Sequence, residues 1–184
     1  MLKDPRLCIT LRTWLPLLNF IPAVLFTYRH PMDVAMSMHT RETEHFRVQR
    51  GLKLWYVYNK RALQQSHDLC RVTTSHKKMM AAPQVELDRI YDELRGCGVP
   101  VPSRAQLVDI NDFIDPKLQH GRSALLDESC TQDYRTLTPD KTAWVPEDDT
   151  SLKLYQACMH LFCALEDGSA YKFDFKYDES IQDA

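Results

Sequence analysis

Residues 23–37 read Ala-Val-Leu-Phe-Thr-Tyr-Arg-His-Pro-Met-Asp-Val-Ala-Met-Ser, and this stretch decides the fold that the sequence predicts. Its first six residues, Ala23–Tyr28, are apolar on both faces, which is typical of a buried strand in a parallel sheet. Pro31 fits the first position of a helix, and Asp33 in the first turn suits the positive end of the helix dipole. The stretch therefore predicts a strand that ends at Arg29 and a helix that begins directly after it.

Further strands and helices are predicted on both sides of this stretch. Short apolar runs indicate strands at Leu7–Leu11 and at Cys70–Thr74. A long helix is indicated by residues spaced three and four positions apart, namely Val48, Leu52, Trp55, Asn59 and Ala62. Another helix begins at Pro83 and ends at Gly96 or Gly98. Strands that alternate with helices of this size predict the α/β class, with a partial parallel sheet and flanking helices.

Charge is distributed unevenly along the chain. Residues 1–122 contain 18 Lys and Arg against 12 Asp and Glu, whereas residues 123–184 contain 5 against 13. The basic first part suits a small anionic ligand, or else it is an ordinary solvated surface. It lacks the dense stripe of Lys, Arg and aromatic residues that nucleic-acid-binding proteins carry, so no nucleic-acid partner is expected. We expect an α/β body at residues 1–122 and an acidic second part at residues 123–184.

The second part is predicted to contain a linker, a helix and a strand. Residues 123–149 are acidic and weakly patterned, which is typical of a loose connection. An amphipathic helix is indicated by the spacing of Leu152, Tyr155, Met159, Phe162 and Leu165. Along Ala170–Tyr177, aromatic residues alternate with charged ones, and this alternation predicts a half-buried strand.

Six cysteines are present, and none of them form a C-x-x-C pair, so neither a zinc ribbon nor a thioredoxin motif is predicted. Because no secretory signal opens the sequence, we expect reduced, buried thiols in a soluble, cytoplasmic protein. The most apolar stretch, Trp14–Tyr28, is too short to span a bilayer, so no membrane partner is expected. His39 and His45 have only Glu42 and Glu44 between them as further metal ligands, and we predict no metal site.

Arg29 and Ser37 are the candidate ligand-binding residues. An arginine at a strand end can hold a phosphate through a bidentate fork. Ser37 lies about two turns into the predicted helix and can add a hydroxyl donor. Spacing alone favours a structural interpretation, in which Arg29 forms a salt bridge and Ser37 packs on the helix.

The segment from Arg29 to Ser37 resembles the part of sulfotransferases that binds the 3′-phosphate of 3′-phosphoadenylyl sulfate. In that family an arginine at the strand end and a serine eight positions later contact this phosphate, and Arg29 and Ser37 match them. A tyrosine that lies against adenine in the family aligns with His76. Other segments resemble a bacterial-type branch, and they are residues 3–6, 14–18, 51–59, 73–75 and 113–120. The resemblance covers residues 3–122 and implies the C-terminal portion of a P-loop NTPase-like fold that takes adenosine 3′,5′-bisphosphate or its sulfated form as co-substrate.

Two departures from the family pattern limit what the resemblance implies. The family has a phosphosulfate loop rich in Gly, Ser and Thr, whereas the five glycines here fall singly, at Gly51, Gly96, Gly98, Gly121 and Gly168. Ile9-Thr10-Leu11 stands where cytosolic members have Lys-Thr-His, so we assign no catalytic residue. A sheet without the family's first strand is also expected to have a poorly protected edge.

The resemblance implies transfer of a sulfuryl group from 3′-phosphoadenylyl sulfate to a hydroxyl or amine acceptor. Because the loop is missing, we expect this chain to be incomplete and weakly active or inactive alone. The alternative is a non-catalytic nucleotide-binding or protein-interaction domain derived from the same fold. The sequence predicts neither the acceptor nor the oligomeric state.

Overall fold

A computed structural model of the chain describes residues 2–41, 47–102, 130 and 146–181. The chain divides into two compact units. The first unit comprises Met1–Arg29 and Arg61–Gln119, and the second comprises His30–Lys60 and His120–Ala184. The segment at residues 113–120 and most of the predicted linker at residues 123–149 lie outside the described residues.

The elements follow the chain in a mixed α/β order. They are α1 (Leu7–Trp14), a 3-10 turn (Leu15–Leu17), β1 (Val24–Tyr28), α2 (Pro31–Arg41), α3 (Val48–Gln65), β2 (Arg71–Ser75), α4 (His76–Ala81), α5 (Pro83–Gly96), α6 (Asp149–Glu166) and a second 3-10 turn (Ser169–Tyr171). The predicted helices that open at Pro31 and Pro83, the long helix from Val48 and the late amphipathic helix are confirmed. None of the helices within the described ranges is both long enough and apolar enough to cross a bilayer.

A two-stranded parallel sheet organises the first unit. β1 pairs with β2 in a register that runs from Val24 opposite Arg71 to Tyr28 opposite Ser75. Both strands consist largely of β-branched and aromatic residues, which suit a pleated, half-buried surface. The strands predicted at Ala23–Tyr28 and Cys70–Thr74 are therefore confirmed, and so is the mixed α/β class with flanking helices.

The strand predicted at Leu7–Leu11 is wrong, because these residues begin helix α1. Leu7 and Leu11 lie four positions apart and therefore share one face of a helix. A five-residue apolar run fits a strand and a buried turn of helix equally well, and only a pairing partner separates the two.

The strand predicted at Ala170–Tyr177 is also wrong. Its first residues form the second 3-10 turn, and residues 172–181 contain no helix or strand. Phe173 is 97% exposed, so the aromatic residues do not share one buried face. Phe175 instead stacks on the His160 ring, at a centroid distance of 5.4 Å. Alternation defines two faces, but a strand also needs a neighbour, and the described residues of the second unit contain no strand.

The expectation of reduced thiols is wrong for four of the six cysteines. Cys70 forms a disulfide with Cys97, and Cys130 forms one with Cys163, with Cα atoms 5.7 Å and 5.4 Å apart. The sequence separations of 27 and 33 residues give no local signal for these pairings. Among the described residues, the free cysteines are Cys8 and the buried Cys158, whose thiol pKa is raised by desolvation.

Helix packing forms the core of the second unit. α3 and α6 supply most of its largest buried side chains, including Leu52, Tyr56, Leu161 and Leu165, and α2 adds Met32. The residues after Tyr171 are held against α3, because the backbone N–H of Asp178 donates to the Tyr56 hydroxyl at 2.7 Å. Burial raises the pKa of Tyr56 to about 12.

A buried lysine makes a second link between α3 and the residues after Tyr171. The ammonium group of Lys60 lies 3.1 Å from the Glu179 carboxylate, and only 7% of the Lys60 side chain is exposed. The same ammonium lies over the Tyr177 ring, 5.8 Å from its centroid. A buried cation needs a partner of opposite charge, and the acidic end of the chain supplies it.

The helix crossing between α2 and α3 depends on a glycine. A Cβ atom built at Gly51 would lie 2.7 Å from the Cα atom of Ala35, which is backbone and cannot rotate away. The two helices can therefore approach this closely only with glycine at position 51. Because α2 carries Ser37, the same crossing fixes where that serine lies within the second unit.

We predict that Gly51→Ala destabilises the protein by about 1–3 kcal/mol, as overpacking does in a close-packed core. The gain of alanine over glycine in a helix, about 1 kcal/mol, offsets part of this cost. Gly96→Ala is the matched control, since a Cβ at this helical position meets nothing within 4 Å. Urea denaturation of both variants measures the difference, and a Gly51→Ala variant as stable as Gly96→Ala would contradict the close crossing.

We predict that replacing both Cys70 and Cys97 by serine lowers the free energy of unfolding by about 3–4 kcal/mol, the value expected for a loop of this length. Cys8→Ser is the control, because Cys8 is half-buried and belongs to no disulfide. Thermal unfolding with and without reductant gives the readout. In the double variant, reductant should no longer lower the unfolding temperature of the first unit. In Cys8→Ser, reductant should still lower it.

Candidate functional site

The register of the sheet brings two of the predicted ligand-binding residues to one edge. Tyr28 and Ser75 are paired as the last residues of β1 and β2, so Arg29 and His76 follow them in neighbouring positions. We call this end of the sheet, with Arg29 and His76, the carboxyl edge. Neighbouring strands lie about 4.8 Å apart. In open α/β sheets, ligands bind outside the carboxyl ends of the strands, so this is the edge at which a ligand is expected.

Ser37, the third predicted residue, lies in α2 and is half-buried. Its backbone carbonyl accepts a hydrogen bond from Arg41 Nε at 3.3 Å. Arg29 belongs to the first unit and Ser37 to the second, so their joint contact with one phosphate stays a prediction.

An ionic cluster around the buried Glu86 carboxylate fixes the carboxyl end of β2. The Thr74 hydroxyl donates to Glu86 Oε1 at 2.6 Å, and Arg89 binds both oxygens of the same carboxylate, at 2.6 and 3.0 Å. Arg89 Nη2 also donates to the backbone carbonyl of Thr73 at 2.6 Å. The cluster therefore ties two consecutive residues of β2 to α5, immediately before His76.

The electrostatics of this cluster follow from its geometry. The bidentate Arg89 guanidinium and the Thr74 hydroxyl hold the pKa of Glu86 below its usual range. The pKa of Arg89 is raised in return, chiefly by its hydrogen bonds to Glu86. Both groups therefore stay charged at neutral pH, and their strong hydrogen bonds keep β2 in one position.

Two lysines at the carboxyl edge were missed by the sequence-based prediction. Lys77 and Lys78 are exposed and follow His76 directly, in the first turn of α4. The Ser75 hydroxyl caps that turn by accepting a hydrogen bond from the Lys78 backbone N–H at 3.3 Å. The sequence signal was the run His-Lys-Lys directly after a strand. These lysines add positive charge beside Arg29 and His76, so an anionic ligand is favoured at the edge.

No group of three or more His, Cys, Asp or Glu side chains that could hold a metal ion occurs within residues 2–41, 47–102 and 146–181. His39 lies in the last turn of α2, where a basic side chain suits the helix dipole, and His45 lies outside the described residues.

We predict that Glu86→Gln lowers the free energy of unfolding by about 1.5–3 kcal/mol at neutral pH, the range for hydrogen bonds to charged groups. Folding lowers the pKa of Glu86. Its carboxylate therefore makes its full contribution to the free energy of unfolding only above the pKa that Glu86 has in the unfolded chain. That contribution is lost as the pH falls through the folded pKa. The difference between wild type and variant should therefore shrink as the pH falls below about 4.

Glu93→Gln is the matched control for this prediction. Glu93 pairs with the same Arg89, but its side chain is 46% exposed, so its loss should cost less than about 1 kcal/mol. Denaturation of all three proteins at several pH values gives the measurement. Equal losses for the two variants would contradict a specific role for the buried carboxylate.

Comparison with known proteins gives no match for this chain, since no family model, no curated protein and no solved structure is similar to it.

Proposed function

We propose that the carboxyl edge binds the 3′-phosphate and the adenine of an adenosine 3′,5′-bisphosphate group. The observation that carries this proposal is the register, which sets Arg29 beside His76. The 3′-phosphate and the base are attached to the same ribose, so the side chains that bind them have to be near neighbours. Adjacent parallel strands about 4.8 Å apart supply that spacing.

Each residue has a distinct role in this proposal. Arg29 holds two phosphate oxygens through its planar fork, and Ser37 donates one further hydrogen bond from α2. The His76 ring stacks on adenine. Lys77 and Lys78 raise the positive potential at the edge and thereby attract a ligand that carries several negative charges.

The wider proposal is a protein of the sulfotransferase family with a P-loop NTPase-like fold. Its reaction moves a sulfuryl group from 3′-phosphoadenylyl sulfate to a hydroxyl or amine acceptor. Such a reaction needs donors that stabilise the sulfuryl oxygens, and the singly placed glycines of this chain do not form the loop that supplies them. We therefore propose nucleotide binding for this chain and little or no transfer by the chain alone.

The cytoplasmic location that the sequence predicts stays a prediction. The pairing of Cys70 with Cys97 and of Cys130 with Cys163 favours an oxidising compartment, because disulfides persist there. Measuring whether Cys70 is reduced or disulfide-bonded in the native protein distinguishes the cytoplasm from an oxidising compartment.

A non-catalytic interaction domain is the second candidate function. Exposed large hydrophobic residues favour it, since seven of them lie within residues 2–25. Exposed hydrophobic residues mark an interaction site where they form one contiguous patch.

We predict that adenosine 3′,5′-bisphosphate binds more tightly than AMP, with a dissociation constant between high micromolar and millimolar, roughly −4 to −6 kcal/mol. Arg29→Ala should remove about 1.5–3 kcal/mol of binding free energy, and Arg29→Lys should restore only part of it. Ser37→Ala should cost about 0.5–1.5 kcal/mol, as the loss of one neutral donor. Calorimetry or ligand-observed NMR measures these differences.

Arg12→Ala is the control variant for nucleotide binding. Arg12 belongs to the same unit as Arg29. Its guanidinium, however, pairs with Asp68, which lies just before the amino end of β2. Its removal should leave the affinity for the bisphosphate unchanged. Equal affinity for AMP and the bisphosphate in a folded protein would assign Arg29 and Ser37 a structural role and reject the proposed site.

A further inference from the structure

Helix α5 is attached to β2 at two places, one toward each end of the strand. At the carboxyl end, the ionic cluster around Glu86 ties the helix to Thr73 and Thr74. At the amino end, Cys70 comes directly before β2, and the disulfide joins it to Cys97, the residue that follows α5. The amino-terminal part of α5 is therefore held by charged hydrogen bonds, and its carboxyl end is held by a covalent bond.

Burial is unevenly distributed along α5. The fully buried side chains of this helix are Glu86 and Ile90. After Ile90, the apolar residues Tyr91 and Leu94 are only half-buried, and the charged residues are exposed. We call residues 91–97 the distal segment. Little apolar area holds it in place, and most of the stability of a helix in a protein comes from such packing. The position of the distal segment therefore depends on the disulfide.

The disulfide is accessible to a reductant. Cys70 is exposed, and Cys97 is half-buried. Thiol–disulfide exchange begins when a thiolate attacks one of the two sulfurs, so its rate depends on access to that sulfur. Exposed disulfides are, as a class, more easily reduced than enclosed structural ones. The bond that holds the distal segment is therefore suited to reversible opening.

Other contacts hold the amino end of β2 when this disulfide opens. The Cys70 carbonyl accepts a hydrogen bond from the Val24 backbone N–H at 2.8 Å, which continues the pairing of β2 with β1. Arg71 Nη1 donates to the Leu63 carbonyl at 3.1 Å and to the Ser66 hydroxyl at 3.0 Å. None of these contacts involves α5. Loss of the disulfide therefore releases the distal segment and leaves the strand in place.

We propose that the Cys70–Cys97 disulfide is a redox switch that controls the docking of the distal segment. In the oxidised protein, the segment is held beside the amino end of β2. In the reduced protein it moves away from the strand, while the ionic cluster and the buried Ile90 keep the amino-terminal part of α5 in place. The proposal does not rest on nucleotide binding, because the carboxyl edge lies at the other end of β2.

A dithiol reductant supplies the two electrons for this switch. Its thiolate attacks Cys70 Sγ, forms a mixed disulfide and displaces Cys97 as a thiolate. The second thiol of the reductant then attacks the mixed disulfide and releases Cys70. The protein gains two electrons and two protons, and the reductant leaves as a disulfide.

Hydrogen exchange of the full chain, followed by mass spectrometry, tests the proposal. Dithiothreitol should reduce Cys70 and Cys97 without denaturant, which alkylation of the two thiols detects as an added mass. Amides of the distal segment should then exchange at least about tenfold faster. Low concentrations of urea should not change this faster rate, because a local opening exposes little surface. Reoxidation with oxidised glutathione should restore the slow exchange.

The double variant Cys130→Ser with Cys163→Ser is the matched control, because it removes the other disulfide and keeps the proposed switch. Dithiothreitol should still accelerate exchange of its distal segment. In Cys70→Ser with Cys97→Ser, the distal segment should exchange fast without reductant and show no further response. Three results would overturn the proposal. They are a Cys70–Cys97 bond that opens only in denaturant, a distal segment whose exchange is unchanged by reduction, and exchange that depends on urea as strongly as that of β1.

Discussion

The parallel pairing of β1 with β2 is the interaction on which the rest of the first unit depends. Parallel strands cannot be joined by a tight turn, so the chain has to run through intervening helices before it returns. The pairing decides which residues meet at the carboxyl edge, since the register from Val24–Arg71 to Tyr28–Ser75 places Arg29 beside His76. It also decides which backbone groups of β1 point away from β2.

The position of β2 is fixed by hydrogen bonds to charged side chains as well as by its pairing with β1. Glu86 and Arg89 form a bidentate pair that reaches the Thr74 hydroxyl and the Thr73 carbonyl. A buried carboxylate costs free energy unless its oxygens are satisfied, and here both oxygens accept hydrogen bonds. The strand end before His76 is therefore tied to α5 by several hydrogen bonds. Such support suits a site in which a ligand group has to be held at a fixed distance from Arg29.

The first unit thus presents two surfaces of opposite character. The carboxyl edge carries positively charged side chains, namely Arg29, Lys77 and Lys78. The strand β1 contains no charged residue, and its Leu25 and Thr27 side chains are exposed.

The sequence by itself predicted the features whose signals are local. Pro31 and Pro83 mark helix starts because their fixed φ angle and missing N–H suit the first turn, and both helices begin at these residues. The run Ala23–Tyr28 predicted β1, which the structure confirms. That Arg29 and His76 bind a ligand stays a prediction. The long helices followed from the spacing of their apolar residues.

Only the tertiary structure decided the features that depend on distant parts of the chain. A strand exists only where it has a neighbour. Leu7–Leu11 therefore lies in a helix, and Ala170–Tyr177 forms part of a 3-10 turn and an irregular segment, although both patterns suit strands. The cysteine pairs join residues 27 and 33 positions apart, and no local pattern encodes such a distance. The proximity of Arg29 to His76 likewise comes from the strand register, which is set by hydrogen bonds between segments far apart in sequence.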